Sequence, residues 1–126
     1  MKLCTFRRGD TQHTGIIEGD DVFPTQFSSM IELLTVCEND FSIVRKALPV
    51  AKIRDIELLA CVPKPNSLRD FFAFEAHIQN ARRKRGLEVP PEWYQFPAFY
   101  FSNHNAIVAP FADVKKPLAT QQLDYE

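Results

Sequence analysis

The stretch SLRDFFAFEAH, residues 67–77, sets an aspartate, a glutamate and a histidine among three phenylalanines, and its reading decides how the second half of the chain is built. Its ends carry helix signals. Ser67 can cap free backbone N–H groups, and Asp70 three residues on completes a capping-box variant. The run Arg82-Arg83-Lys84-Arg85-Gly86 puts cations in a last turn and a glycine just past it. The pattern predicts a helix from Ser67 to Arg85. At 100° per residue His77 then lies two turns beyond Asp70 on nearly the same face, with Phe74 between them and Glu75 pointing elsewhere. A rise of roughly 10 Å separates the two, which suits groups addressing opposite sides of one small ligand. Taken alone, the pattern favours a plainer reading, a helix-capping acid and an ordinary imidazole.

Upstream, MKLCTFRRG and TGIIEGDDVFPT read as strands of a small hairpin or meander, with Gly15 and Gly19 bracketing a short apolar run. Behind a serine cap, SSMIELLTVCEN spaces Met30, Ile31, Leu33, Leu34 and Cys37 as a helix does, and DFSIVRKAL predicts a second, shorter helix before Pro49. IRDIELLACV reads as extended, and PKPN at residues 63–66 punctuates the chain. The expected class is α+β, with a hairpin-plus-helices domain over residues 1–62 and a second, β-rich domain beginning over residues 63–126.

Composition narrows the functional classes. With 126 residues, 45% hydrophobic and 25% charged, the chain has material for a modest globular core. A net charge of −1 supplies no general field toward nucleic acid or an anionic membrane, so a nucleic-acid module built on the RRKR cluster is disfavoured. There is no signal-like apolar segment at the start and no long apolar run, so the expected compartment is the cytoplasm. Cys4, Cys37 and Cys61 are odd in number and widely spaced, which suits reduced thiols better than a disulfide framework or a zinc site. His13 and His104 are expected in turns facing solvent. Trp93 and Tyr94, beside the stiff Pro90-Pro91 pair, are read either as a cover over a pocket or as a packed anchor.

From about residue 61 to 126 the sequence resembles the fumarylacetoacetate hydrolase family. The resemblance rests on RDFFAFEAH, on the PPEWY loop, on FPAFYFSN and on the terminal LDYE taken together. It implies the start of a mixed, β-rich catalytic domain. It also implies a hydrolase that cleaves carbon–carbon bonds in β-diketone or acylpyruvate-type acids with a divalent cation, magnesium or calcium. Some members isomerise or decarboxylate related oxo acids. A hard cation can hold two oxo oxygens and stabilise an enolate, while a histidine activates water. On this resemblance Asp70 and Glu126 are metal ligands, His77 is the general base, and Tyr100 contacts substrate. Arg85 matches a substrate-binding arginine with a slip of one residue. Some members carry tyrosine where this chain has Phe72, which leaves the substrate open.

The family pattern places a second acidic ligand two positions after the LDYE glutamate and an aspartate further on, beyond residue 126. The chain as given is therefore expected to bind magnesium weakly and to be inactive alone. It reads as the N-terminal part of such an enzyme, forming a homodimer or pairing with the missing C-terminal part. The alternative is a non-catalytic remnant that binds a full-length relative.

Overall fold

The computed structural model describes residues 1–45 and 47–123. Strands β1 (Lys2–Arg8), β2 (Thr11–Glu18) and β3 (Asp21–Pro24) form an antiparallel meander. Both connections are two-residue Gly-Asp loops, with Arg8 opposite Thr11 and Glu18 opposite Asp21. Gly9 and Gly19 each adopt a φ of 58°, the left-handed value that a tight hairpin loop demands at its first position.

The segment expected to be extended from Ile53 onward begins as a 3-10 turn and is a strand only at Glu57–Leu59. β4 (Ala51–Lys52) pairs with β3 and β5 (Glu57–Leu59) pairs with β1, giving the order β4-β3-β2-β1-β5. A 3-10 turn at Ile53–Asp55 joins these two strands, which lie on opposite edges. A flat five-stranded sheet is roughly 19 Å across, while the short link with its tight turn spans less than that. The sheet must therefore curl until its edges approach.

The curl explains why Cys4, Thr5 and Phe6 are buried in succession. Cys4 and Phe6 join Val22 in one cluster, against which Val50, Ile53, Ile56 and Leu58 pack. Elsewhere, helix α1 (Met30–Cys37) buries Met30, Leu33 and Cys37 with Phe27, and Leu3 of β1 packs against that second cluster. Ser29 caps α1 by accepting from the Glu32 N–H at 3.1 Å, and the Glu32 carboxylate reaches back to the Ser28 N–H at 2.8 Å. These hydrogen bonds, that of the Ser28 hydroxyl first, hold the Glu32 carboxyl below its usual range. The second helix expected in DFSIVRKAL is only a 3-10 turn at Phe41–Ile43, with Asp40 accepting from the Ser42 N–H at 2.9 Å. The buried hydroxyls are satisfied: Thr5 Oγ1 donates to Cys61 O at 2.6 Å and Thr14 Oγ1 to Phe27 O at 2.8 Å. His13, expected in a turn, lies in β2 and stacks on Phe6 with ring centroids 5.4 Å apart.

The three thiols are free. Burial, and then the nearby Cys61 thiol, push the Cys4 thiol from its ordinary 9.0 up to about 11. Folding favours the neutral thiol, so this contribution is intact below pH 9.0 and is lost as the pH rises through about 11. Chemical denaturation across that window is expected to show a loss of about 2 to 3 kcal/mol. Cys4→Ala should flatten that part of the profile.

The chain divides into two compact units. One comprises Met1–Pro63 together with the residues from Val108 onward, and the other is Lys64–Ile107. Taken together, the described residues form a mixed α+β protein with a curled antiparallel sheet.

In the second unit the helix expected over Ser67–Arg85 is wrong through its first half. Leu68–Phe71 is a strand, β6, paired antiparallel with β7 (Phe99–Ser102), and helix α2 begins only at Glu75 and ends at Arg83. The cause is pairing across sequence. Backbone groups of residues 68–72 find partners near residues 98–102, and aromatic residues suit a pleated strand better than local capping signals suit a helix. Ser67 caps nothing here; the N-cap position of α2 is Phe74, with no side-chain cap. Its far end behaves as expected, with basic residues in the last turn and Gly86 at a φ of 68°.

Candidate functional site

Asp70 and His77 do not share a helix face, since one lies in β6 and the other in the first turns of α2. The strand pairing makes a different juxtaposition. Asp70 stands directly opposite Tyr100, and Leu68 opposite Ser102. Directly opposed residues on an antiparallel ladder project from one face with Cβ atoms roughly 4.5–5.5 Å apart. That face therefore presents a carboxylate beside a phenol, and both residues are exposed. The other face carries Arg69, Phe71, Phe99 and Phe101. Phe99 lies 5.2 Å by ring centroid from both Phe71 and Phe101, and the Arg69 guanidinium sits 4.8 Å from the centre of Phe101.

His77 is exposed, and its ring meets Phe72 edge-on with centroids 5.5 Å apart. Phe72 continues the β6 direction, its N–H donating to Ala98 O at 3.0 Å. Thus β6 links the two expected site residues, Asp70 within it and His77 against the aromatic ring that follows it. Glu75 does not orient His77. Its carboxylate accepts from the Tyr94 hydroxyl at 2.8 Å and from Gln79 Nε2 at 3.0 Å. The bond to that carboxylate, followed by desolvation, pushes the Tyr94 hydroxyl above its ordinary value.

Trp93 closes the choice left open by the sequence. It sits in a 3-10 turn at Pro91–Tyr94, half-buried, and its indole N–H donates to Phe72 O at 2.9 Å. It is an anchor holding that turn to the end of β6, and its ring stands nearly perpendicular to that of Tyr94. Between the turn and the end of β6 lies a groove of about 310 Å³ whose walls include Phe71, Phe72, Trp93, Tyr94 and Phe96. This groove and the Asp70–Tyr100 register were missed from the sequence. The aromatic runs Phe71-Phe72 and Phe99-Tyr100-Phe101, residues that favour strands, carry the signal for the pairing.

Arg85 lies beyond the end of α2, exposed, its backbone N–H donating to Arg82 O at 2.9 Å, and no side-chain partner is present among the described residues. Glu126, the other expected metal ligand, lies outside the described residues. Among those residues no three His, Cys, Asp or Glu side chains gather into a group that could hold a metal ion. A lone exposed carboxylate does not meet the several oxygen ligands that magnesium or calcium requires, so the described residues do not by themselves fit the cation. Calorimetry of the 126-residue chain is expected to show no micromolar magnesium binding, and Asp70→Asn should leave that titration unchanged. A stoichiometric micromolar signal would show that the further ligands come from elsewhere, a second chain above all.

No helix among the described residues is long and apolar enough to cross a membrane. No family model matches the chain, and no solved structure matches it. Two curated proteins of Bos taurus do. "Oxaloacetate tautomerase FAHD2A, mitochondrial" and "Oxaloacetate tautomerase FAHD2B, mitochondrial" are each 28% identical to it over 116 residues. The match covers 89% of this chain and 35% of each relative, so the chain spans about a third of their length. Both relatives are named mitochondrial, which differs from the cytoplasmic expectation. The chain thus bears a distant similarity to fumarylacetoacetate hydrolase domain-containing proteins.

Proposed function

We propose that this chain is part of a fumarylacetoacetate hydrolase-type enzyme that interconverts the keto and enol forms of a 2-oxo acid. The observation that carries this reading is the cross-strand pairing of Asp70 with Tyr100, beside the helix that presents His77, in a chain similar to two named tautomerases. In a 2-oxo acid the C–H next to the carbonyl is acidic because its conjugate base is an enolate. His77 takes that proton and returns it to the other site. Tyr100 donates its hydroxyl to the oxygen on which charge develops. Arg85 is a candidate for the substrate carboxylate.

The carbon–carbon hydrolysis implied by the motifs uses the same groups differently, with His77 deprotonating water. The names of the relatives favour tautomerisation. The activity is proposed for a protein spanning the relatives' whole length, in which Asp70 is one ligand of a divalent cation completed by other residues. A two-stranded sheet is marginal by itself, and β6–β7 has no third strand among the described residues. That supports pairing with the remaining two thirds of such a protein or with a second chain.

The test follows the ultraviolet absorbance of the enols of two 2-oxo acids, oxaloacetate and phenylpyruvate, as each relaxes to its keto form. The protein of full relative length should accelerate at least one of the two decays above buffer, and unchanged rates for both would overturn the proposal.

A further inference from the structure

The aromatic groove shares one wall, Phe72, with the surroundings of His77. Phe72 lies two residues after Asp70, its N–H still bonded to Ala98 O, and its ring meets His77 edge-on. Trp93 is fixed across the groove by its bond to Phe72 O, and Phe96 forms a further wall. Its volume of about 310 Å³ is at the lower end for pockets that take a small ligand. No lysine or arginine is among its described lining residues.

This lining discriminates between substrates. A molecule reacting at His77 turns its non-reacting end toward these walls. A dicarboxylate such as oxaloacetate would bring its second carboxylate against apolar walls with no lysine or arginine among the described lining residues to pair it, which is costly. An aromatic ring meets the reverse situation, because it loses water-exposed apolar area and finds rings to stack against edge-on or offset. From this we infer that the substrate of the site is a 2-oxo acid bearing an aromatic ring, with the ring seated against Phe72, Trp93 and Phe96. The inference rests on the oxo-acid reading above and narrows it to a substrate class different from the one named for the bovine relatives.

Trp93 is the only tryptophan in the chain, so its indole N–H gives a single cross-peak in a nitrogen–proton correlation spectrum. The 126-residue chain, labelled with nitrogen-15, is titrated with phenylpyruvate, with oxaloacetate and with phenylacetate, which has the ring but no oxo group. Phenylpyruvate should shift the Trp93 peak saturably together with the backbone amides of Asp70 and His77, and oxaloacetate should leave Trp93 in place. Phe96 is exposed, so Phe96→Ala should keep the spectrum dispersed and weaken phenylpyruvate by roughly 2- to 10-fold. A Trp93 peak unmoved by phenylpyruvate, or moved equally by oxaloacetate, would overturn the inference. If oxaloacetate shifted Asp70 and His77 while phenylpyruvate did not, the aromatic substrate would be wrong and the oxo-acid reading would survive. If phenylpyruvate and phenylacetate moved Trp93 alike, with Asp70 and His77 silent, the oxo-acid reading would fail and the inference with it.

Discussion

His77→Ala should slow keto–enol interconversion by roughly 10²- to 10⁴-fold in a protein of the relatives' full length if that protein has the activity proposed above, the usual contribution of a positioned general base. The loss should fall on kcat. His77 is exposed and packs only edge-on against Phe72, so removing it leaves the groove walls and the β6–β7 pairing intact. Substrate KM should therefore change little, and the melting temperature should stay close to that of the parent. Glu75→Gln is a useful contrast. Glu75 spends its carboxylate on Tyr94 and Gln79, so that variant should keep turnover near the parent level. Unchanged kcat in His77→Ala would show that the proton is taken by another group.

Phe6→Ala should have the largest effect on stability. Phe6 is 1% exposed, stacks on His13, and lies over Gly15, where an added Cβ would come 2.9 Å from its ring. Alanine would leave a cavity inside the curl that the surrounding strands cannot close. The expected cost is about 3 to 5 kcal/mol, a large share of the stability of a small domain. Thermal unfolding followed by circular dichroism should show a drop of more than about 10 °C. Gly15→Val attacks the same contact from the other side, forcing a branched side chain against Phe6 and the Phe23 carbonyl, and should destabilise as well. A Phe6→Ala melting curve within a degree or two of the parent would mean that the inside of the curl is loosely packed.

The first half of the chain was largely legible because its signals are local. Gly19 marks the second hairpin loop and a serine before Met30, Leu33 and Cys37 marks α1, whereas the first loop lies at Gly9-Asp10 and not at His13, which is inside β2. The second half misled because residues 67–77 carry two messages. Ser67 and Asp70 suggest a helix start, but Phe71 and Phe72 have strand partners some thirty residues away, which no local pattern contains. Asp70, His77 and Tyr100 could be picked out one by one from motifs, whereas their arrangement depends on the register of β6 with β7. The role of Trp93 was undecidable in sequence because its anchor is a backbone carbonyl, Phe72 O, which any residue could have supplied.

The two edges of the curled sheet also set an order of assembly. The β1–β2 and β2–β3 hairpins close over two-residue loops and can form within microseconds, before the rest of the chain is placed. By contrast, β5 joins β1 only after more than fifty residues have been looped back, pairing Leu59 with Thr5, and the entropy of that closure is recovered only on contact. The meander is thus an early template and the β5 edge a late addition. In native-state hydrogen exchange, amides bonded between β1 and β5 should open at lower free energy than those between β1 and β2. During synthesis, the β1 edge stays uncovered until residue 59 has emerged, which makes the nascent meander the stage at which this protein is most open to pairing with a neighbouring chain.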